Sequence, residues 1–542
     1  MKIPGNILFA ATCAWLGLAL VPQSRAETGT NTIDATTVNY TGTWMVGTNG
    51  PFNAQIVTNG GILAVTGAGI VGNSALAASN YVIVTGSGSL WSNSGNFTVG
   101  MTGAFNQLTI TNGGRVVNAI GYIGNAAGSS NNTVLVTGNN SLWKNGNDLN
   151  VGYGSAGNQL IITNGGVVAV ANTAYLGYNA GANNNRALVS GTGFVWTNSG
   201  ALMIGFSSTG NSLTISNSGV VFAGTANIGY NAGATGNTVL VTGPGSHWNN
   251  SSDLYVGNSG SGNSLTISNS GVVAVGGITY VGYAAGASNN TALVTGSGSL
   301  WTNSGILYVG YAAGANNSQL TISDGGQVQD TKGVIGYDGA STTGLVTGVN
   351  SVWQNAGGLL VVGDHTSGNQ LTISAGGAVI NGEGNVGYAA SASNNTVLVT
   401  GSGSLWTNTS DLYVGRSGVG NTLTITNSGA VTVGGNAYVG FNAGATNNQI
   451  ALDGGTPDTD NRWRLLSIVG PQGPAGTPAP QASGANCQIQ ISDGNGQLAS
   501  NENLVFVQGD GWNSVRCNWP TTDPAIAGAL WNNNGVLNVS NG

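Results

Sequence analysis

The stretch Asn106-Gln-Leu-Thr-Ile-Thr-Asn-Gly-Gly114 and its partner one unit later, Thr133-Val-Leu-Val-Thr-Gly138 with Ser141-Leu-Trp143 and Asp148-Leu-Asn-Val-Gly152, decide the fold. Each unit holds three short runs rich in Val, Ile, Leu, Thr and Tyr, separated by Gly, Asn and Ser. That pattern predicts short strands joined by turns, and nothing in it has a helical period. The glycine closing the third run recurs at sixteen positions from Gly47 to Gly440, about every 26 residues, and Trp91, Trp143, Trp196, Trp248, Trp301, Trp353 and Trp406 recur every 52 or 53. The long unit is therefore two similar half-units. A fixed repeat of three strands that cannot bury its apolar face alone predicts a parallel β-solenoid, an all-β fold of about 16 three-strand coils spanning residues 27–455. At about 3.3 Å per residue each coil has roughly 85 Å of contour, and coils stacked at about 4.8 Å make a rod roughly 75 Å long.

Composition agrees. The chain has 542 residues, 94 of them Gly; 40% are apolar and only 5% charged. In an in-register stack like residues lie over like, so a repeated charge becomes a column of repulsion, whereas Asn amides and aromatic rings form favourable ladders. Asn106, Asn158, Asn211, Asn263, Asn369 and Asn421 precede one strand, and Tyr153, Tyr178, Phe206, Tyr230, Tyr283, Tyr311, Tyr337, Tyr388 and Phe441 follow the landmark glycine. A net charge of −7 with ten basic residues offers no electrostatic footprint for nucleic acid.

The ends of the chain differ from the repeat. Residues 1–26 read as a signal peptide: Lys2, an apolar run from Ile7 to Val21, and Ser24-Arg25-Ala26 as a small-x-small cleavage site. The apolar run is short for a membrane span and no later run approaches that length, so the mature chain is expected to have no transmembrane segment. Residues 456–485 form a Pro- and Gly-containing linker, with three collagen-like triplets in Gly470-Pro-Gln-Gly-Pro-Ala-Gly-Thr-Pro478. Residues 486–542 form a small β-rich module in which Cys487 and Cys517, an even pair in an exported chain, are expected to form one disulfide. Glu27 to Tyr40 and the segment near Trp463 are the candidate caps of the coil stack.

The repeat string, best seen from Asn394 to Trp406 as Asn-Asn-Thr-Val-Leu-Val-Thr-Gly-Ser-Gly-Ser-Leu-Trp, resembles the repeat of bacterial autotransporter-type passengers and PEP-CTERM-associated surface proteins. The resemblance covers about Gln55 to Asp453. It implies an exported, right-handed β-helix at the bacterial surface, and it brings no catalytic residues with it. The sequence departs from both patterns: too little chain follows residue 455 for a translocator barrel, and Leu537 to Gly542 lacks an apolar span and basic tail. The closing residues from Gly528 look like the ends of phage tail-fibre-type chains.

Material for chemistry is sparse. His247 and His365 are the two histidines, His247 sits where neighbouring repeats have Leu, and the remaining cysteines lack a Cys-x-x-Cys pattern. No metal site and no cofactor are expected. Five acids cluster in sequence, Asp324, Asp330, Asp338, Asp364 and Glu383, joined by Lys332 and His365. Asp338 and Asp364 lie on adjacent coils near the same landmark, so their carboxylates are candidates for the paired acid and base of glycoside hydrolysis. Trp143, Trp196, Trp248, Trp301, Trp353 and Trp406, with Trp91, form a row about 9.6 Å apart. Facing outward they make a platform for sugar rings; facing inward they fill a corner of the core. In Ser-Leu-Trp the neighbouring Leu and Trp cannot both point inward. Thr pairs such as Thr109/Thr111 raise ice binding, but alternate coils carry Val-Leu-Val-Thr there.

The function expected from these readings is a secreted or surface-displayed, non-catalytic structural or adhesive rod. It binds glycans or a host or neighbouring cell surface through an extended repeat face. The alternatives are a carbohydrate-binding or polysaccharide-cleaving β-helix and a phage tail-fibre-like appendage. Nothing in the sequence sets the oligomeric state.

Overall fold

The computed structural model describes residues 29–453 apart from Phe194, together with the strands Ser24–Glu27, Leu504–Val507, Ser514–Cys517, Leu530–Asn533 and Val536–Val539. The expected architecture is present: sixteen coils, each of three strands, stacked so that every strand pairs in parallel with its counterparts in the coils before and after. Three sheets result. The first runs from Thr30–Asp34 to Gln449–Asp453, the second from Thr37–Tyr40 to Ala430–Val433, and the third from Ser24–Glu27 to Ala437–Val439. Register is kept without slippage, Leu108 opposite Val134 and Val134 opposite Leu160 in the first sheet, Trp143 between Val116 and Val168 in the second. No helix occurs among the described residues.

Strand alternation sends every second side chain inward. Leu108 and Ile110 are buried while Gln107, Thr109 and Thr111 face out; in the second sheet Trp143 and Asn145 are buried while Leu142 and Lys144 face out. The interior is one continuous apolar column from Ile33 to Val433.

The seven repeated tryptophans belong to that column and are fully buried. The outward platform is therefore ruled out, and the Leu of Ser-Leu-Trp is the residue facing solvent. Room for an indole comes from the third sheet, where Gly121, Ala174, Ala226, Thr279, Gly333 and Gly384 alternate with Leu149, Leu202, Leu254, Leu307, Leu360 and Leu412. A methyl group added to Gly121 falls 2.7 Å from the Trp143 ring, and one added to Gly333 falls 2.6 Å from the Trp353 ring. The Trp143, Trp353 and Trp406 indoles thus lie over the glycine of the preceding coil, Gly121, Gly333 and Gly384. Close packing admits one such pair per two coils. This is why the sequence repeats every 52 residues rather than every 26.

A second internal ladder fixes the corner before the first sheet. The Asn106 amide oxygen accepts from both the backbone N–H (2.9 Å) and the side-chain amide (2.9 Å) of Asn80, and the pattern continues through Asn132, Asn158, Asn185, Asn211, Asn237, Asn263 and Asn290. The ladder changes at Ser318 and Thr342 and resumes at Asn369. It runs in nearly every coil, more often than the alternate-coil spacing of the sequence suggests. The landmark glycines sit against it: Gly100 has φ +80°, and any side chain there overlaps the Asn132 amide.

At the N-terminal side, Thr30–Asp34 and Thr37–Tyr40 form strands of the first coil itself, and Ser24–Glu27 pairs with Thr43–Val46. The remainder of the expected signal peptide, the segment near Trp463, the expected 456–485 linker and Cys487 lie outside the described residues, as does the Cys517 side chain, and with them the expected disulfide. Within residues 486–542 two antiparallel strand pairs are described, Leu504–Val507 with Ser514–Cys517 and Leu530–Asn533 with Val536–Val539.

Candidate functional site

Three outward features of the coil stack are the first sheet's hydroxyl column, the third sheet's aromatic columns and a corner groove. On the first sheet the last outward position is Thr or Ser in successive coils, linked in pairs by hydroxyl hydrogen bonds such as Thr163 to Thr137 (3.1 Å), Ser268 to Thr242 (2.9 Å) and Thr426 to Thr400 (2.8 Å). The middle position alternates Thr109 with Leu135 and Thr214 with Leu240. The continuous Thr-x-Thr face is thus missing, as the sequence indicates.

The third sheet carries the aromatic residues that follow the landmark glycines, together with a second column in mid-strand. Along one column Tyr153, Tyr178, Phe206 and Tyr230 stack at 4.9–5.0 Å with interplanar angles of 10–18°. Along the other, Tyr255, Tyr280 and Tyr308 stack at 5.1–5.4 Å. Between columns the rings meet edge to face, Tyr280 with Tyr283 at 70° and Tyr308 with Tyr311 at 74°. Geometry explains both. Rings about 3.5 Å thick in a repeat of about 4.8 Å tilt by roughly 45°, and two columns tilting opposite ways make a herringbone. Ring faces are spent on neighbouring rings, leaving mainly edges and hydroxyls for solvent. Burial, with nearby Asp253, pushes the Tyr255 phenol up to about 12, and its hydroxyl donates to Asp253 (3.4 Å); Tyr413 and Asp411 repeat the arrangement at 3.2 Å.

The herringbone is interrupted by ions. Asp364 takes the Tyr337 column one coil on, and His365 Nδ1 lies 3.4 Å from Asp364 and 3.8 Å from Asp338. Burial raises the Asp364 carboxyl above the usual carboxylate range, against the opposing pull of His365 and Lys332. Farther on, Arg416 pairs with Glu383 at 2.6 Å and lies over Tyr388 and Tyr413. The structure thus brings Asp338, Asp364 and His365 into one group, with Lys332 close enough to act on Asp364, whereas Glu383 is held by Arg416. Asp324 and Asp330 are not part of it. Asp324 accepts from Thr295 on the first sheet's corner, and Asp330 points into the core, where it accepts from the Trp353 indole (2.7 Å) and the Asn355 amide. Burial pushes the Asp330 carboxyl up to about 7. Among the described residues no cluster of three or more His, Cys, Asp or Glu has a metal-holding arrangement. A groove of about 500 Å³ and another of about 300 Å³ both lie away from Asp338, Asp364 and His365.

The larger groove marks a feature the sequence reading missed. It runs along the corner between the second and third sheets, beside Phe222, which is 43% exposed. Repeat alignment carries its signal. At the inward corner position the coils before Trp143, Trp353 and Trp406 have Asn118, Asp330 and Asn381, each accepting a hydrogen bond from the following indole at 2.7 Å. The coil before Trp248 has Ala223 there. All four coils have a short corner, two residues between this position and the small residue of the third sheet. Only at Ala223 does a short corner meet a short side chain, and there the surface is indented.

No protein-family model matches the chain, and no curated protein matches it. Among solved structures the chain is similar to a TibA fragment, residues 55–350, hyper-glycosylated by TibC, with 14% identity over 79% of this chain and 97% of that one and a TM-score of 0.31. No helix among the described residues is long and apolar enough to cross a membrane.

Proposed function

We propose that this chain is a secreted or surface-displayed structural and adhesive rod, non-catalytic, that holds its partner through many weak contacts along repeated outward columns. One observation carries the reading: sixteen coils stack in unbroken register, so each outward residue type is presented many times along a line. Linked weak sites raise avidity steeply without any strong single site, which is what a flat, repetitive surface offers. The buried ladders and the scarcity of charge suit a chain that must persist outside the cell. Glycans on a host or neighbouring cell are the proposed partners. Hydrolysis gains little support, because His365 sits against both Asp338 and Asp364 and neither acid lines either groove.

Beads coated with the full chain, passed over glycan-bearing cell layers under flow, test this. Retention that rises more steeply than linearly with coating density is expected. Absence of retention on every surface, or release of reducing sugar from a polysaccharide by the soluble chain, contradicts it.

A further inference from the structure

The corner groove beside Phe222 has the chemistry of a ligand site. Asn198 and Asn250, which line it, are 5% and 3% exposed, and neither their amide oxygens nor their amide nitrogens have a hydrogen-bond partner in the protein. The Trp248 indole N–H, in the same layer as Asn250, is also unpartnered. Single unpaired amide atoms recur along this column, at Asn93, Asn145, Asn303 and Asn408, and the Trp196 and Trp301 indoles are unpartnered too. Among the described residues, however, Asn198 and Asn250 are the two amides unpaired at both atoms, and both border this groove. Wholly unpaired buried amides are costly and uncommon, which points to something that pairs them.

Equivalent coils show what that something must do. Asn118 accepts from Trp143 Nε1 and donates its amide to Asn145 (2.8 Å); Asn381 accepts from Trp406 Nε1 and donates to Asn408 (2.7 Å). At Ala223 the same place takes a group that accepts from Trp248 and donates to Asn250. A hydroxyl does both with one atom. None of the residues lining the groove is ionisable, which disfavours a charged ligand. Ser199, Ser251, Thr302 and Ser304 supply further hydroxyls, and the exposed Phe222 ring supplies an apolar wall for the C–H face of a ring. The groove extends from the Asn198 coil to the Thr302 coil, four steps or about 19 Å, with a volume in the range of small-ligand sites.

We infer that this groove binds a neutral oligosaccharide lengthwise, one ligand hydroxyl replacing the carboxamide that Ala223 lacks. The inference rests on the adhesive reading and names the class of ligand. It places sugar recognition at Phe222, the amides beside it and the Trp248 indole N–H, not on tryptophan ring faces or the acids of the third sheet.

The test uses the full chain and four linear tetrasaccharides, of β-1,4-linked glucose, xylose and mannose and of α-1,4-linked glucose, followed by titration calorimetry. One-to-one binding of at least one is expected. Ala223→Asn rebuilds the arrangement at Asn118 and Asn381, so it is expected to melt higher than the parent while binding at least tenfold more weakly. Phe222→Ala, at an exposed position, is expected to keep the parent's melting temperature and also lose at least tenfold. Binding of none of the four, or parental affinity in both variants, overturns the proposal. The bead assay separates the two readings. A chain that binds no tetrasaccharide yet retains beads overturns the groove and leaves the adhesive rod; one that binds a tetrasaccharide but retains no bead does the reverse.

Discussion

Aromatic rings form an inner row and outer columns on this rod, and the two kinds obey different spacing rules. The inner row has tryptophan in every second coil, the Trp143 and Trp353 indoles lying over Gly121 and Gly333 in the coil before. The outer rows have Tyr or Phe in successive coils, Tyr153 through Tyr230 for instance, because rings at a free surface tilt until they stack. Inside, volume is fixed by neighbours on all sides; outside, one side is open and the ring finds its own angle. The same residue class therefore reports confinement through its period alone.

The largest effect expected from this difference is on removal of an inner ring. Trp301→Ala leaves a cavity that the stacked coils on either side resist closing, and a loss of about 3–5 kcal/mol is expected in denaturant unfolding. Filling the space beneath an indole comes next. Gly333→Ala drives a methyl against the Trp353 ring and Leu360, and about 1–3 kcal/mol is expected to be lost; a neutral outcome would show that the glycine is not the seat of the indole.

The third effect is pH dependence at the one inner corner that carries an acid. Burial raises Asp330 from an ordinary 3.8 to about 7, so the folded chain holds its proton through a window in which the unfolded chain has released it. Stability is thus greatest below about pH 4 as far as this group is concerned, and falls as pH rises towards 7, each pKa unit being worth about 1.4 kcal/mol. Asp330→Asn, the residue found at Asn118 and Asn381, is expected to flatten that slope in melting curves from pH 4 to 8. Asp364 is also raised, so the informative quantity is the difference between parent and variant. The smallest effect belongs to the outer rows: Tyr283→Ala removes stacking on Tyr311 and edge contacts with Tyr255 and Tyr280, and about 1 kcal/mol is expected.

Much of this was legible in the residues. The landmark glycines and the three short runs per unit are sufficient for a solenoid of this coil length, because a fixed period with strand-like runs leaves no other way to bury the apolar side chains. The adjacency of Leu142 and Trp143 shows that one of them faces out, but alternation is symmetric and does not say which. The deciding signal lies a side away, in the alternation of Gly121 and Ala174 with Leu149 and Leu202, and it has meaning only once coils are laid over one another. The same holds for Asp330. In sequence it is one of five neighbouring acids, whereas in register it is the counterpart of Asn118 and Asn381 and points inward. The groove escapes a linear reading for a related reason: Ala223 is unremarkable until it is seen to stand where a carboxamide stands in equivalent coils.

The central claim is that the core fits in pairs of coils. Removing residues 159–185 deletes one coil and brings Trp196 directly over Trp143 and Leu149, whereas removing 159–211 deletes two and restores a small-residue coil after Trp143. Thermal melts followed by circular dichroism on the two deletions test this most directly. The two-coil deletion is expected to melt cooperatively near the parent temperature, and the one-coil deletion to melt far lower or not fold, although it removes less of the chain. Equal stability of the two contradicts the pairing of large and small residues on which the account rests.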